Sequence, residues 1–172
     1  MPPDLSRHLA FIGFMGAGKS TMAELVAQRL GRPWFDTDHI IVDRCGRSIP
    51  ELFAAGEEPR FRALEKQVIA ELLAAPPAVL SLGGGALEDA DTRSEVFERA
   101  CVVWLEVPWG DVRAELPALM QTRPLLQSRS EAEIHELFEH RQATYALAHL
   151  RIRAPRGDVA AAADHVLSLL ES

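Results

Sequence analysis

The sequence predicts a three-layer α/β fold, in which helices cover both faces of a central parallel sheet. Short, continuous apolar runs are typical of strands buried on both faces, and they occur at LAFIGF (9 to 14), PPAVLSL (76 to 82) and CVVWLEV (101 to 107). Amphipathic stretches with helical periodicity lie between these runs. Because the alternation continues through all 172 residues without an internal repeat or a linker, we expect one domain over residues 1–172.

Recognisable start and stop signals bound the other elements. Glycine directly after an amphipathic run ends a helix, serine followed three residues later by glutamate opens one, and proline is tolerated in a first turn. In chain order these signals predict a helix over 19–31 closed by Gly31, a strand over 33–38, a helix from 39 that Gly46 ends, a helix from the capping box SIPE (48 to 51), a helix over 57–74 with Pro59 in its first turn, a helix from Ser130 to about 149, a strand over 150–154 and a closing helix over 157–170.

Residues 114–129, AELPALMQTRPLLQSR, are interrupted by Pro117 and Pro124. Proline inside a helix removes a hydrogen bond and clashes with the preceding turn. We therefore expect a mobile lid over residues 114–129, followed by a helix.

Charge and composition exclude several classes of function. The net charge of −7 disfavours a nonspecific grip on nucleic acid, because such binding depends on neutralising phosphates. The first ten residues, MPPDLSRHLA, lack the basic and apolar regions of a signal peptide, and no apolar run reaches the roughly 20 residues of a membrane span. We expect a cytoplasmic monomer that binds neither nucleic acid nor membranes.

The stretch GFMGAGKST (13 to 21) predicts a phosphate-binding loop. Gly13, Gly18, Lys19 and Ser20 fit the pattern GxxxxGK[ST] between a predicted strand and a predicted helix, as that motif requires. Its backbone N–H groups and the helix N-terminus face the phosphates, the lysine reaches the outer phosphates, and the serine hydroxyl binds magnesium. The alternative, a glycine turn that joins strand to helix by accident, leaves this whole pattern unexplained.

The nucleotide is predicted to be ATP. A guanine site in P-loop proteins normally carries an Asn-Lys-x-Asp signature, and this chain contains no asparagine. The nucleotide-binding residues that follow from the loop are Gly16, Ala17, Gly18, Lys19, Ser20 and Thr21.

Two aspartates replace an acidic residue that is missing from its usual place. P-loop enzymes commonly support magnesium with an aspartate at the end of a neighbouring strand, but AVLSLGGG ends in Ser81 and glycines. Asp36 and Asp38, two apart at a predicted strand end, are expected to project to the same side, towards the loop. One would support the metal and the other would take an acceptor hydroxyl. The alternative is that Asp38 only caps the next helix.

Six motifs in order resemble the shikimate kinase family over nearly the whole chain. They are GAGKST, DTD, GRSIPELF followed by FRALE, LSLGGG, RPLL, and an arginine four residues before a tyrosine in RQATY. The resemblance implies a P-loop kinase fold with a substrate-binding segment at about 37–66 and the lid already described. It also implies transfer of the γ-phosphate of ATP to the 3-hydroxyl of shikimate, in aromatic amino-acid biosynthesis.

The resemblance assigns roles to individual residues. Asp38, Arg62, Arg141 and the glycine triplet Gly83, Gly84 and Gly85 would hold shikimate. Ser20, with Asp36 behind it, would hold Mg²⁺, and Arg123 in RPLL would reach the nucleotide phosphates. Lys19, Asp38 and Arg123 would be the catalytic residues, while Arg156 would border the adenine by its general position alone. The family commonly has a proline inside the last motif, where this chain has Ala143.

The chemistry of these residues agrees with the implied acceptor. Shikimate is a carboxylate with three hydroxyl groups, so two arginines can bind its carboxylate while an aspartate binds the hydroxyl that attacks. Glycine lets a ring approach the backbone closely. Lys19 and Arg123 can offset the charge that spreads onto the transferred phosphoryl group.

Several alternatives stay open at this point. Arg62 has Glu58 and Glu65 at helical spacing, so it could form a surface ion pair, or Glu65 could orient it for a ligand. Arg141 beside Glu139 could be solvated, and Arg123 could simply lie on a loop. The fold also serves other small-metabolite kinases, such as one for gluconate, and a ligand-sensing domain without turnover is a third function to distinguish.

Overall fold

The computed structural model describes residues 6–172, so the first five residues of the predicted domain lie outside the described residues. The described chain contains five strands in one parallel sheet, in the order β2-β3-β1-β4-β5. The strands are β1 (His8–Ile12), β2 (Trp34–Asp36), β3 (Val79–Ser81), β4 (Ala100–Glu106) and β5 (Leu150–Arg153). The predicted α/β fold is confirmed.

The predicted cap residues set the helix ends. Gly31 and Gly46 end their helices in the left-handed conformation, with φ of 63° and 66°. Ser48 and Ser130 form complete capping boxes with the glutamates three residues later. The helices are α1 (Lys19–Leu30), α2 (Thr37–Cys45), α3 (Ile49–Ala54), α4 (Glu58–Ala74), α5 (Ala90–Arg99), α6 (Trp109–Thr122), α7 (Pro124–Gln127), α8 (Glu131–Tyr145) and α9 (Val159–Glu171).

Two clusters of the hydrophobic core lie on opposite faces of the sheet, because strand side chains alternate between those faces. On β1, Ala10 and Ile12 belong to one cluster, with residues of α4, α6 and α8. Leu9 and Phe11 belong to the other, with residues of α1 and α9. Helices therefore cover both faces of the sheet, and its carboxyl edge stays open for a site.

The expectations about Asp38 and about Pro117 are wrong. The second strand ends at Asp36, whose Oδ1 accepts a hydrogen bond from the His39 N–H (3.1 Å) and so caps α2. Asp38 therefore lies in the first turn of a helix rather than on the strand, and Asp36, not Asp38, is the cap. Pro117 also fails to interrupt the lid segment, because it lies inside α6.

The lid segment is helical because α6 contributes to the core. Val112, Leu116 and Leu119 are buried on one side of α6. Burial of three such side chains, about 1.5–3 kcal/mol each, exceeds the cost of about 3 kcal/mol for proline inside a helix. Mobility of residues 114–129 stays a prediction. The helix predicted to run to about 149 ends earlier, at Tyr145.

Candidate active site

The phosphate loop lies between β1 and α1, at the carboxyl edge of the sheet. Gly18 precedes α1 with a φ of 83°, which glycine adopts without strain. No side chain caps α1, so its first N–H groups are available to an anion. The Nζ of Lys19 donates to the carbonyl oxygens of Gly13 (2.8 Å) and Phe14 (3.3 Å). The lysine thus folds back over the loop, where phosphates would lie.

The charge of Lys19 depends on its surroundings. Burial lowers the pKa of its ammonium group to about 8. Among the nearby charges, Asp38 raises this pKa, whereas Arg123 and Arg141 lower it. The lysine therefore sits among the other predicted site residues.

Ser20, Asp36 and Ser81 form a small polar network at the start of α1. The Ser20 hydroxyl donates to the Asp36 carboxylate, and its Oγ lies 3.3 Å from the Oγ of Ser81. Asp36 is paired with Ser81 across β2 and β3. Within residues 6–172 no group of three or more His, Cys, Asp and Glu side chains could hold a metal. A hydroxyl backed by a carboxylate suits Mg²⁺ that takes its other ligands from phosphates and water.

Two cavities meet at the carboxyl edge of β1, β2 and β3. One has a volume of about 300 Å³ and is lined by loop residues including Gly16, Gly18, Lys19, Ser20 and Thr21. The other has a volume of about 380 Å³ and is lined by Arg62, Gly85 and Arg141, among others. The residues common to both are Met15, Ser20, Asp36, Asp38, Gly83, Gly84 and Arg123. We refer to the second cavity as the acceptor pocket.

Asp38 stands between the two cavities with an unused acceptor atom. Its Oδ1 is buried and has no hydrogen-bond partner. Burial raises the pKa of its carboxyl group, and the nearby Asp36 raises it further, against the opposing charges of Lys19, Arg123 and Arg62. The carboxyl group is thus arranged to accept a hydrogen bond, and its raised pKa favours taking up a proton.

Arg62 enters the acceptor pocket from α4 with a buried partner. Its Nη1 lies 2.8 Å from the Oε1 of Glu65, which is only 3% exposed, whereas Glu58 lies 3.8 Å away. The pair with Glu65 is therefore the closer one, and it is not a surface pair. The Oε2 of Glu65 is buried and has no partner, and burial raises the pKa of its carboxyl group.

Arg141 enters the same pocket from α8 and is 3% exposed, so the alternative of a solvated arginine is wrong. Its Nε and Nη1 have no hydrogen-bond partner. Its guanidinium carbon lies 5.8 Å from the centre of the Phe14 ring. An unpaired buried charge is costly, and an anion in the pocket would remove that cost.

Gly85 lets the two guanidinium groups converge. A Cβ atom at this position would lie 2.9 Å from Nη1 and Nη2 of Arg62 and 2.9 Å from Nη2 of Arg141. A Cβ atom there would force one of the guanidinium groups to shift, so the observed arrangement of the two arginines depends on glycine at this position. The two charges thereby face one small volume, which suits a planar carboxylate.

The remaining predicted residues lie at the edges of the site. Arg123 is exposed between α6 and α7 and lines both cavities. Ala17 is buried in the core, so only its backbone can face a nucleotide. Arg156 is exposed, and its Nη2 lies 2.6 Å from Oδ1 of Asp111. Its contact with adenine stays a prediction.

Sequence reasoning missed the apolar wall of the acceptor pocket. Met15, Ile49, Phe53 and Phe61 line it together with the polar groups. The available signal was the run of aromatic and aliphatic residues on α3 and α4, immediately beside Arg62. These side chains would contact the apolar part of a ring.

The comparisons with known proteins identify the family. Residues 15–171 match the family model described as shikimate kinase. The chain belongs to the shikimate kinase family. A shikimate kinase from Geobacillus kaustophilus (strain HTA426) is 37% identical over 171 residues, which is 98% of this chain and 91% of the relative. The predicted family and its activity, phosphoryl transfer with ATP as co-substrate, are thereby confirmed.

Solved structures agree with this assignment. A shikimate kinase from Acinetobacter baumannii in complex with shikimate superposes with a TM-score of 0.87 at 33% identity, over 96% of this chain and 93% of that one. A gluconokinase from Sinorhizobium meliloti 1021 superposes with a TM-score of 0.61 at 14% identity, over 97% and 93%. The second likeness shows a shared fold alone.

Proposed function

We propose that this member of the shikimate kinase family transfers the γ-phosphate of ATP to the 3-hydroxyl of shikimate, giving shikimate 3-phosphate and ADP. The observation that carries the proposal is the convergence of Arg62 and Arg141 over Gly85, in a pocket that shares Asp38 with the phosphate loop. A carboxylate site and a hydroxyl site thus lie in one cavity next to the donor. Gly83 and Gly84 complete the floor between them.

The arginines bind the acceptor carboxylate in this proposal. Guanidinium groups bind carboxylates through pairs of parallel hydrogen bonds, and the unpartnered Nε and Nη1 of Arg141 supply such donors. Glu65 holds Arg62 in place through its Oε1. The carboxylate thereby fixes one end of the ring, and the hydroxyl groups at the other end are directed to Asp38.

Asp38 orients the attacking hydroxyl and accepts its proton as the bond to phosphorus forms. Its Oδ1 needs a donor, and its raised pKa makes it a better base than an exposed aspartate. Its position on the lining of both cavities supports this role, because the acceptor and the γ-phosphate would meet between them. The hydroxyl oxygen gains the phosphoryl group as the bond to the leaving ADP oxygen breaks.

Lys19 and Arg123 stabilise the charge on the transferred phosphoryl group. Both are cations on the wall of the phosphate cavity, and electrostatic stabilisation of this kind is usually the largest contribution to phosphoryl transfer. Ser20, supported by Asp36, would hold Mg²⁺. When bound, magnesium neutralises charge on the phosphate oxygens.

Several broader predictions belong to the same proposal. Residues 1–172 act as one kinase domain, with acceptor binding by about 37–66 and closure by residues 114–129. A cytoplasmic location, a monomeric state and the absence of a nucleic-acid partner also stay predictions. Among residues 6–172, no helix combines the length and the apolar character needed to cross a membrane.

Coupled measurement of ADP release tests the function directly. The protein is assayed with ATP, Mg²⁺ and a panel of polyhydroxy acids that includes shikimate and gluconate, and phosphorus NMR of the product locates the new phosphate. We expect turnover with shikimate and substitution at the 3-hydroxyl. ADP release that depends on gluconate but not on shikimate would identify a different metabolite kinase, and no acceptor-dependent release would indicate a domain without turnover.

A further inference from the structure

The glycine triplet 83–85 is held from two sides by buried hydroxyl groups. Thr37 is 0% exposed, and its Oγ1 accepts a hydrogen bond from the Gly83 N–H (3.3 Å) and donates to the Ser81 carbonyl (3.4 Å). Tyr145 is 1% exposed, and its hydroxyl donates to the Gly84 carbonyl (2.6 Å). The two hydrogen-bonded groups belong to the peptides Leu82–Gly83 and Gly84–Gly85, so both of these peptides depend on side chains outside the triplet.

Each hydroxyl belongs to a helix that also carries an acceptor-binding residue. Thr37 directly precedes Asp38 in the first turn of α2. Tyr145 lies four residues after Arg141 on α8, so both project from the same face of that helix. A Cβ atom at Gly84 would lie 3.1 Å from Nη1 of Arg141 and 3.7 Å from the Tyr145 hydroxyl. The guanidinium group and the hydroxyl thus flank the same glycine.

We propose that Thr37 and Tyr145 are positioning residues for the acceptor, because their hydroxyl groups fix the triplet relative to Asp38 on one side and Arg141 on the other. The inference rests on the proposed function, since it concerns the same pocket. Neither side chain lines the acceptor pocket itself, so neither is a catalytic residue. Without these hydrogen bonds the triplet could shift while the arginines and the aspartate remain.

The chemistry of Tyr145 suits a permanent donor. Burial raises the pKa of its hydroxyl to about 12, so the group keeps its proton at any pH used for assay. Its ring packs beside Trp104, with ring centres 6.0 Å apart. Phenylalanine at this position would keep that packing and remove only the hydroxyl.

The first test is Tyr145→Phe, measured by steady-state kinetics for both substrates and by thermal unfolding. Loss of one hydrogen bond corresponds to about a fivefold change in an equilibrium. We expect the KM for shikimate to rise about fivefold, while kcat and the KM for ATP stay within twofold. A merely structural role would lower the unfolding temperature without this selective change in KM.

The second test uses a conservative rescue at Thr37. Thr37→Val removes the hydroxyl at nearly constant volume, whereas Thr37→Ser keeps it, so only the valine variant should raise the KM for shikimate. Thr144→Val, on α8 beside Tyr145, is the matched control and should behave as the unsubstituted protein. Serine and valine variants with the same raised KM would contradict a role for the hydroxyl.

The outcomes separate this inference from the function on which it rests. Absence of shikimate-dependent ADP release by the unsubstituted protein contradicts the proposed function, and the inference falls with it. Normal turnover with an unchanged KM for shikimate in both Tyr145→Phe and Thr37→Val contradicts the inference alone. An equal rise in the KM for ATP would also overturn it, because a general loss of structure would then explain the change.

Discussion

The phosphate loop and the acceptor pocket are built in different ways. The loop is one continuous stretch, residues 13–21, and its lysine finds hydrogen-bond partners within that stretch. The acceptor pocket combines side chains from α2, α4 and α8 with the triplet 83–85, which follows β3. Buried polar atoms without partners lie on Asp38, Glu65 and Arg141. The lysine of the phosphate loop therefore has hydrogen-bond partners without a ligand, whereas buried polar atoms of the acceptor pocket lack partners until a ligand binds.

The difference has an energetic meaning. A buried polar atom without a partner costs about 1–3 kcal/mol, and more when it is charged. A ligand that supplies the missing hydrogen-bond partners removes this free-energy cost, while an analogue without those hydrogen-bonding groups leaves the cost in place. Sites of this kind reject such analogues strongly. We therefore expect acceptor choice to depend on the acceptor pocket and nucleotide affinity to depend on the loop.

The largest loss of activity is expected from Asp38→Asn, which alters the acceptor pocket. The substitution keeps the shape of the side chain but removes the base, so kcat should fall by about a thousandfold, within the range typical of general-base catalysis. ATP affinity should change little because the loop is untouched. Coupled ADP release and equilibrium binding of ATP measure the two quantities.

Asp43→Asn is the control for this prediction, since Asp43 is exposed on the same helix. It should have normal activity. Equal activity of both variants would remove Asp38 from the mechanism.

Gly85→Ala should damage acceptor binding by about a hundredfold, because displacement of binding groups by about 1 Å has effects of this size. The φ of Gly85 is −103°, which any residue adopts, so the effect would be steric alone. The added methyl would meet nitrogens of Arg62 and Arg141 at 2.9 Å. Titration with shikimate, followed by calorimetry, measures the loss.

Gly110→Ala provides a matched comparison, because a Cβ there meets nothing within 4 Å. Its binding of shikimate should be normal. If Gly85→Ala bound shikimate equally well, the two arginines would not define the carboxylate site.

Arg62→Ala should raise the KM for shikimate about thirtyfold, since hydrogen bonds to charged groups contribute about 1.5–3 kcal/mol. The KM for ATP should stay unchanged, which would sharpen the contrast between the two regions. Steady-state kinetics with each substrate in turn measures the split. Arg60→Ala, an exposed residue paired with Glu57, should leave both values unaltered. An unchanged KM for shikimate in Arg62→Ala would show the carboxylate assignment to be wrong.

The smallest effect concerns pH and the loop. The pKa of Lys19 is lowered to about 8, so its positive charge is present below pH 8 and lost above it. The dissociation constant of ATP should therefore be about tenfold higher at pH 9 than at pH 7. Binding should also take up a proton near pH 8, because bound phosphates favour the charged lysine. Calorimetry in two buffers with different ionisation enthalpies measures that uptake.

Lys19→Arg tests the origin of this pH dependence. Arginine stays charged over the whole range, so ATP affinity should become independent of pH even where it is weaker. If ATP affinity changed with pH equally in both proteins, the titrating group would not be Lys19. The affinity for shikimate should not change with pH in this way if the two regions act separately.

The sequence predicted much of the fold because its signals are local. Glycine after an apolar run, a capping box and a glycine-rich loop each act within a few residues, and Gly31, Gly46, Ser48 and Ser130 all have the predicted roles. The errors arose where tertiary packing outweighed a local preference. Pro117 lies inside α6 because the buried side of that helix outweighs the proline.

The predicted site residues Asp38, Arg62 and Arg141 lie together in one pocket, but the sequence did not predict their geometry, and their roles stay predictions. Asp38 lines the acceptor pocket, but it does so from a helix rather than from a strand. The residues beside Arg141 in the sequence are equally compatible with a solvated and with a buried arginine. Only the packing of α8 against the sheet shows it buried and unpaired.

By itself, the sequence determined the phosphate loop, the alternation of strands and helices, and the family to which the chain belongs. These features depend on residues that are neighbours along the chain. Only the tertiary structure decided that Arg62, Gly85 and Arg141 converge, that Glu65 is buried beside them, and that two hydroxyl groups hold the triplet. The reason is physical: these contacts join segments that are far apart in sequence, and only the packed sheet brings them together.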